Sequence, residues 1–323
     1  MSTITANWKK LLPSGVVVAA CIVLPMVMEV GTNILNLMVM LFIFIVLSQS
    51  WNLLGGYTGQ INLGLAAFFG CGVLVTHFLW QAEVPIYLAV LAGGVATVVL
   101  AVIIGLPTLR LRGVYFAIGT LAFAEVLRII VGNIFTTWVK MPSSYVFNYD
   151  LIPRYYLGLV VALIAVAVVY FVTNSKLGLA MVAVRDDEEA AQVTGVNTFK
   201  YKVLALLISA FLAGLGGGVY AFFRLSFYSI SLVFSPLWTF EPLMAVMIGG
   251  AGTLVGPIIG SVFLVILSEI FALKLGEAHL VIFGILFILV VLYFPHGLVG
   301  SVDRVRQLIV RVGRSRLWKA RQQ

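Results

Sequence analysis

The chain has 323 residues, of which 62% are hydrophobic and only 10% charged, and its mean hydropathy is +1.12. A soluble domain carries roughly 25% charged residues, so this chain cannot hide its apolar surface from water, and lipid must solvate most of it. The net charge of +8 does not indicate nucleic acid, because seven of the twenty Lys and Arg residues follow Asp303, outside the apolar segments, where basic residues set membrane orientation and meet anionic head groups.

A helix needs about 20 mostly apolar residues to cross the hydrocarbon core. In chain order the predicted crossings run 14–30, 34–54, 62–80, 85–106, 113–132, 156–173, 203–223, 238–249, 254–271 and 280–294. The first follows a signal-like start, "MSTITANWKKLL", but has no small-x-small cleavage site and reads as a retained helix. The eighth is short and follows Pro236, as a broken or re-entrant helix would. The expected fold is therefore all-α: a polytopic integral membrane protein with about ten transmembrane helices, one membrane domain over 1–303 and a basic tail over 304–323. Ten crossings put fifteen of the basic residues on the side of both termini and four on the other, which makes both ends cytoplasmic. Eight crossings stay open if two segments are re-entrant.

Between the second and third crossings, "NLLGGYTGQINLGLAAFFG" sets Gly55, Gly56, Gly59 and Gly64 among Thr58, Gln60 and Asn62. Two readings fit. One is a plain turn at the cytoplasmic surface. The other is an interrupted helix whose Gln60 and Asn62 line a translocation path, since irregular backbone at membrane depth needs a protein or water lining. In the fifth crossing, Glu125 and Arg128 stand three apart and can share a face as an intramembrane ion pair, either self-neutralising or functional. Between the sixth and seventh crossings lies a loop over 174–202. Its centre, "VRDDEEAAQVTG", has acids near its start and a glycine at its close, the signals of one amphipathic helix. It can be a solvated linker or, through the small face of Ala183, Ala190, Ala191 and Gly195, a docking surface for a cytoplasmic partner.

Glu241 opens the eighth crossing and is a further path candidate; Glu269 lies near the outer end of the ninth. Two small-residue ridges, Ala210–Gly214–Gly218 and Gly252–Gly256–Gly260, suit close helix packing in lipid. "GGAGTLVG" is no nucleotide loop, because it lacks a preceding strand and a Gly-Lys-Ser/Thr end. Cys21, Cys71, His77, His279 and His296 are scattered, without the spacing of a metal site. No convergent acid, base or metal constellation marks an enzyme.

Four blocks carry a family resemblance. "SWNLLGGYTGQINLGLAAFFGCGVL", "LGLAMVAVRDDEEAAQVTGVNTFKYKVLALLISAFLAGLGGGVYAF", "MIGGAGTLVGPIIGSVFLVILSE" and "YFPHGLVG" resemble, in this order, the permeases of branched-chain amino acid ABC importers, closer to the LivM-like than to the LivH-like subunit. The resemblance implies an ABC importer permease fold in the bacterial inner membrane and a non-enzymatic chain that binds no cofactor. It implies a second, LivH-like permease, two cytoplasmic ATPase subunits that use the ATP, and an extracytoplasmic substrate-binding protein. By analogy Arg185, Asp186, Glu188, Glu189, Ala190, Ala191 and Gly195 form the ATPase-coupling element. One departure stands out: "NIFTTWVKMPSSYVFNYDLIPRYY" has no glycine pair where the family carries one, which leaves the cargo open between hydrophobic amino acids and urea, short amides or another small solute. An ion-coupled secondary transporter is the contrasting class; it calls for buried carboxylates and no ATPase-docking helix.

Overall fold

A computed structural model describes residues 18–25, 32–135, 149–225 and 230–275, together with Gly284, Ile288 and Gly297. Among these every regular element is a helix, with no strand. Residues 18–25 are helical. Then follow α1 (Thr32–Trp51), which runs into a π-helical turn over Asn52–Gly56, α2 (Leu65–Gln81), α3 (Ile86–Thr108), α4 (Val114–Ile134) and α5 (Leu151–Thr173). Two short helices, α6 (Lys176–Asp186) and α7 (Glu188–Val193), lead to α8 (Thr198–Arg224), a single turn α9 (Ile230–Val233), α10 (Leu237–Gly249) and α11 (Gly256–Leu275). Among the described residues five helical stretches are long and apolar enough to cross a membrane, and α2, α10 and α11 contribute shorter apolar ones. The second to ninth predicted crossings each have a helix at their position. The tenth, the basic tail and the end of the "YFPHGLVG" block lie outside the described residues, apart from the three single positions named above.

Helices α1 and α8 form the centre, with two-thirds of each apolar window buried, whereas α4 has only 28% of its window buried and stands at the edge. The sequence of α8 explains its place. Its small residues let three helices close in: an added Cβ at Gly214 would collide with Thr97 and approach Gly94 of α3 to 3.0 Å, and one at Gly218 would come within 2.9 Å of Thr76 and Val90. The ridge Ala210–Gly214–Gly218 thus meets α2 and α3, as its spacing predicts. The second ridge is shorter than predicted. Gly252 lies in a turn at φ +73°, a backbone region that favours glycine, so only Gly256 and Gly260 belong to α11.

Hydroxyls supply the polar contacts between helices. Ser50 Oγ donates to the Ser209 carbonyl (2.6 Å), Thr97 Oγ1 to that of Ala210 (2.8 Å), and Ser261 Oγ to Ser48 Oγ (3.0 Å). In lipid each such bond contributes about 0.6 kcal/mol on average, so packing and polar contacts act together.

Candidate functional site

The loop over 174–202 is built from its caps. The Ser175 hydroxyl accepts from Leu177 N (3.1 Å) and starts α6, which buries Gly178, Met181 and Val184 on one face. The helix stops at Asp187, whose backbone is extended (φ −158°, ψ 109°). The Asp187 carboxylate accepts from Glu189 N and Ala190 N, both at 3.0 Å, and so starts α7. This corrects the single amphipathic helix expected from the sequence. Asp caps a helix better than it sits inside one, because its short side chain competes for backbone N–H groups, and here the same residue ends one helix and begins the next. Gly195, at φ +88°, follows the end of α7, and Asn197 Oδ1 then accepts from Lys200 N (3.0 Å) to start α8.

The residues carried over by analogy divide between two faces. Glu188 turns inward, to a 2.6 Å ion pair with Lys202, whose side chain is only 3% exposed. Ala191 is buried beside it. Removing one partner of so buried a pair leaves the other poorly solvated, so this pair fixes α7 to the start of α8. Glu189, Ala190 and Gly195 are exposed, and Val193 is 90% exposed. The small-residue face is therefore split, with Ala191 inward, Ala183 partly buried, and Ala190 and Gly195 outward. Arg112, after α3, approaches Glu189 to 3.7 Å; both side chains are largely exposed, and such a pair contributes little.

Arg185 ties this loop to the bundle. Its Nε and Nη2 donate to Asp186 Oδ1 (3.0 and 2.9 Å), while Nη1 donates to the Gly56 carbonyl at the end of the π turn (3.2 Å). A Cβ at Gly59 would lie 3.0 Å from Arg185 Cγ, and one at Gly252 would lie 2.8 Å from its Nη1. The next layer joins the same segments. Asn52 Nδ2 donates to the Thr253 carbonyl (2.8 Å) and its Oδ1 accepts from Gly252 N (2.8 Å); Gln49 Nε2 donates to the Leu254 carbonyl (2.7 Å). Gly297 lies against Gly250, its added Cβ 2.5 Å from Gly250 Cα. Tyr57, buried in the same place, has its hydroxyl pKa pushed up by burial, with Thr173 and Arg185 nearby acting in the opposite sense. Four stretches far apart in sequence thus meet at one point. Sequence reasoning missed Gln49, Asn52 and Lys202; the signal was a pair of amides three residues apart in an otherwise apolar helix.

The segment over 57–64 packs partly against the bundle, with Thr58, Asn62 and Gly64 buried and Gly59 and Ile61 exposed. Leu63 N donates to Thr120 Oγ1 (3.1 Å), and Thr120 lies six residues into α4, about 9 Å along the helix. Asn62 is 2% exposed, its Oδ1 accepting from Gly64 N (2.8 Å) and its carbonyl from Trp51 Nε1 (2.8 Å). The irregular backbone is held by side chains of α1 and α4, Trp51 and Thr120. Gln60 is half-buried in this stretch and follows Gly59, which lies against Arg185. Glu241 stands apart, partly buried in the first turns of α10. Glu125 and Arg128 do pair, Arg128 Nε donating to both carboxylate oxygens (3.0 and 2.9 Å). Arg128 stands one turn after Ala124 at the edge of the buried stripe of Phe116, Ala117, Thr120, Ala124 and Val131, with Glu125 beside it, and both charged residues are partly exposed. No group of three or more metal-ligating side chains occurs among the described residues.

Apolar crossing helices, joined by a glycine-rich segment and by a capped loop bonded to it, define a multi-pass membrane protein. The family model described as "Branched-chain amino acid transport system / permease component" matches residues 33–291, and the chain belongs to that family. The "High-affinity branched-chain amino acid transport system permease protein LivM" of Salmonella typhimurium is 27% identical, over 83% of this chain and 70% of its own. The protein of the same name from Escherichia coli is 27% identical, over 85% and 71%. The "Probable branched-chain amino acid transport permease protein LivM" of Methanocaldococcus jannaschii is 24% identical, over 66% and 67%. No solved structure matches the chain significantly. As a member of this family with several apolar crossing helices, the chain is an ABC transporter permease of the inner (plasma) membrane.

Proposed function

We propose that this chain is one permease subunit of an ATP-driven importer for branched-chain or other hydrophobic amino acids. It pairs with a second, LivH-like permease over two cytoplasmic ATPase subunits, and an extracytoplasmic binding protein delivers the cargo. The chain crosses the membrane ten times with both termini cytoplasmic, holds no cofactor, and leaves ATP to its partners. The outward face of α7 (Glu189, Ala190 and Val193) docks in an ATPase cleft. Arg185 passes the resulting movement to the π turn and to the turn before α11.

The observation that carries this proposal is the Arg185 bond to the Gly56 carbonyl. It gives an exposed surface element a direct hold on backbone of the bundle, where glycines let two segments approach closely. Alternating access by rocking of helix groups needs such a connection. The branched-chain cargo rests on the family and on its LivM relatives. The test is gentle extraction of the chain, expressed with its neighbouring genes, and identification of its companions. A second permease and ATPase subunits are expected. A chain that purifies alone and transports without ATP sinks the proposal.

A further inference from the structure

At the end of the bundle opposite the 174–202 loop lies a cavity of about 540 Å³. Its size falls within the roughly 300–1,000 Å³ typical of small-molecule sites. Helices α8 and α11 both pack on α1, and the cavity opens where the outer ends of the three helices meet. The first half of α1 turns one face to it, with Asn33 and Asn36 at the mouth and Leu37, Met40 and Phe44 deeper, at helical spacing. Leu264 and Val265 of α11 complete an apolar floor. The walls carry two opposite charges from different helices: Arg224, the last residue of α8, and Glu269 of α11.

Neither charge takes part in an ion pair among the described residues. This contrasts with Glu125 and Arg128, which neutralise each other. Arg224 instead lies 5.4 Å from the Phe223 ring centroid and hydrogen-bonds the Tyr220 side chain. Tyr149 Oη donates to the Phe223 carbonyl (3.2 Å) and braces the same helix end. Ionisable groups near the membrane normally pair with one another or serve a pathway. An open cavity with one cation, one anion and an apolar floor is neutral overall and charged at two points, with Asn33, Asn36, Tyr149 and Ser268 as its uncharged polar lining. Urea, amides and sugars offer no charge to either point.

We infer that this cavity receives a free zwitterionic amino acid with an apolar side chain. Arg224 takes the carboxylate, Glu269 takes the ammonium, and the floor of Leu37, Met40, Phe44, Leu264 and Val265 takes the side chain. The planar fork of arginine suits a carboxylate, and the carboxylate of Glu269 accepts from an ammonium in any rotation. The inference rests on the importer proposal and gives it a cargo site in this chain, at the mouth where a delivering protein releases its ligand.

Saturation-transfer NMR on the full chain in lipid nanodiscs, with L-leucine as the probe, tests it. Transfer to the leucine methyl protons is expected. 4-Methylpentanoate, which lacks the ammonium, and 3-methylbutylamine, which lacks the carboxylate, should each compete about tenfold less well, the loss set by one charged hydrogen-bond pair. Arg224→Gln and Glu269→Gln should each weaken leucine binding by about the same factor. Val265→Trp, which fills the floor, should abolish transfer. Equal competition by the three compounds, or charge variants that bind leucine as the wild type does, overturns the inference. Co-purification of ATPase subunits, read separately in the same preparations, decides the importer proposal and not this one.

Discussion

Valine in place of Gly249 or Gly260 is expected to prevent the chain from accumulating as a folded membrane protein. Helices α10 and α11 pack antiparallel through these positions. An added Cβ at Gly249 would collide with the Gly256 carbonyl, and one at Gly260 with the Ala245 carbonyl. Both obstacles are backbone, so no rotamer change relieves them and the helices must separate. Overpacking of a well-filled core typically costs about 1–3 kcal/mol, and these contacts, on backbone and with two further methyl groups, lie at or above the top of that range. Separation would also break the Ser261–Ser48 hydrogen bond and open the turn that Asn52 grips. Fluorescence-detected size-exclusion chromatography of detergent extracts checks this. Gly158→Ala is the control, because its Cβ would have no neighbour closer than 3.4 Å and the monodisperse peak should be kept.

Arg185→Ala is expected to do the opposite: keep the fold and lose the function. The Arg185 side chain is 36% exposed, and its partners are an exposed neighbouring carboxylate and one backbone carbonyl. Its loss should lower stability by only about 1 kcal/mol. In the assembled importer, ATP hydrolysis should continue while leucine uptake falls about tenfold or more, the factor that corresponds to roughly 1.4 kcal/mol of lost coupling. Arg185→Lys should not restore uptake, because an ammonium cannot hold Asp186 and Gly56 at once in the fork geometry that the guanidinium provides. The measurement is uptake and phosphate release in the same proteoliposomes. Uptake and hydrolysis that fall together would assign Arg185 to assembly instead.

What the sequence showed clearly was apolar length. Helices α1 to α5 and α8 stand where the hydropathy runs place them, within a few residues, and Pro236 marked the short α10. What it did not show was depth. The glycines and amides over 55–64 suit a surface turn and a buried one alike, and the bond that ties Leu63 to Thr120 in α4 joins residues distant in sequence. The acidic run misled for a related reason. "DDEE" has the composition of one helix start, but two carboxylates in sequence give the chain two caps to choose from, and Asp187 takes a role that ends α6. Lys202 read as one more basic residue beside a crossing. Its burial against Glu188 depends on the fold of α7 and leaves no trace in the pattern. Gly252 fitted a helix-packing repeat by spacing alone, and its positive φ removes it from the helix.

The central claim is that α7 meets an ATPase, and contact mapping tests it most directly. A photo-crosslinking amino acid at Val193, which is 90% exposed, is introduced into the complex in native membranes. An adduct with the ATPase subunit is expected at Val193 and not at Ala191, which is buried, nor at Tyr87 at the start of α3, which is 64% exposed and lies at the other end of the bundle. An intact complex that gives no ATPase adduct at Val193, or the same adduct at Tyr87, would contradict the account.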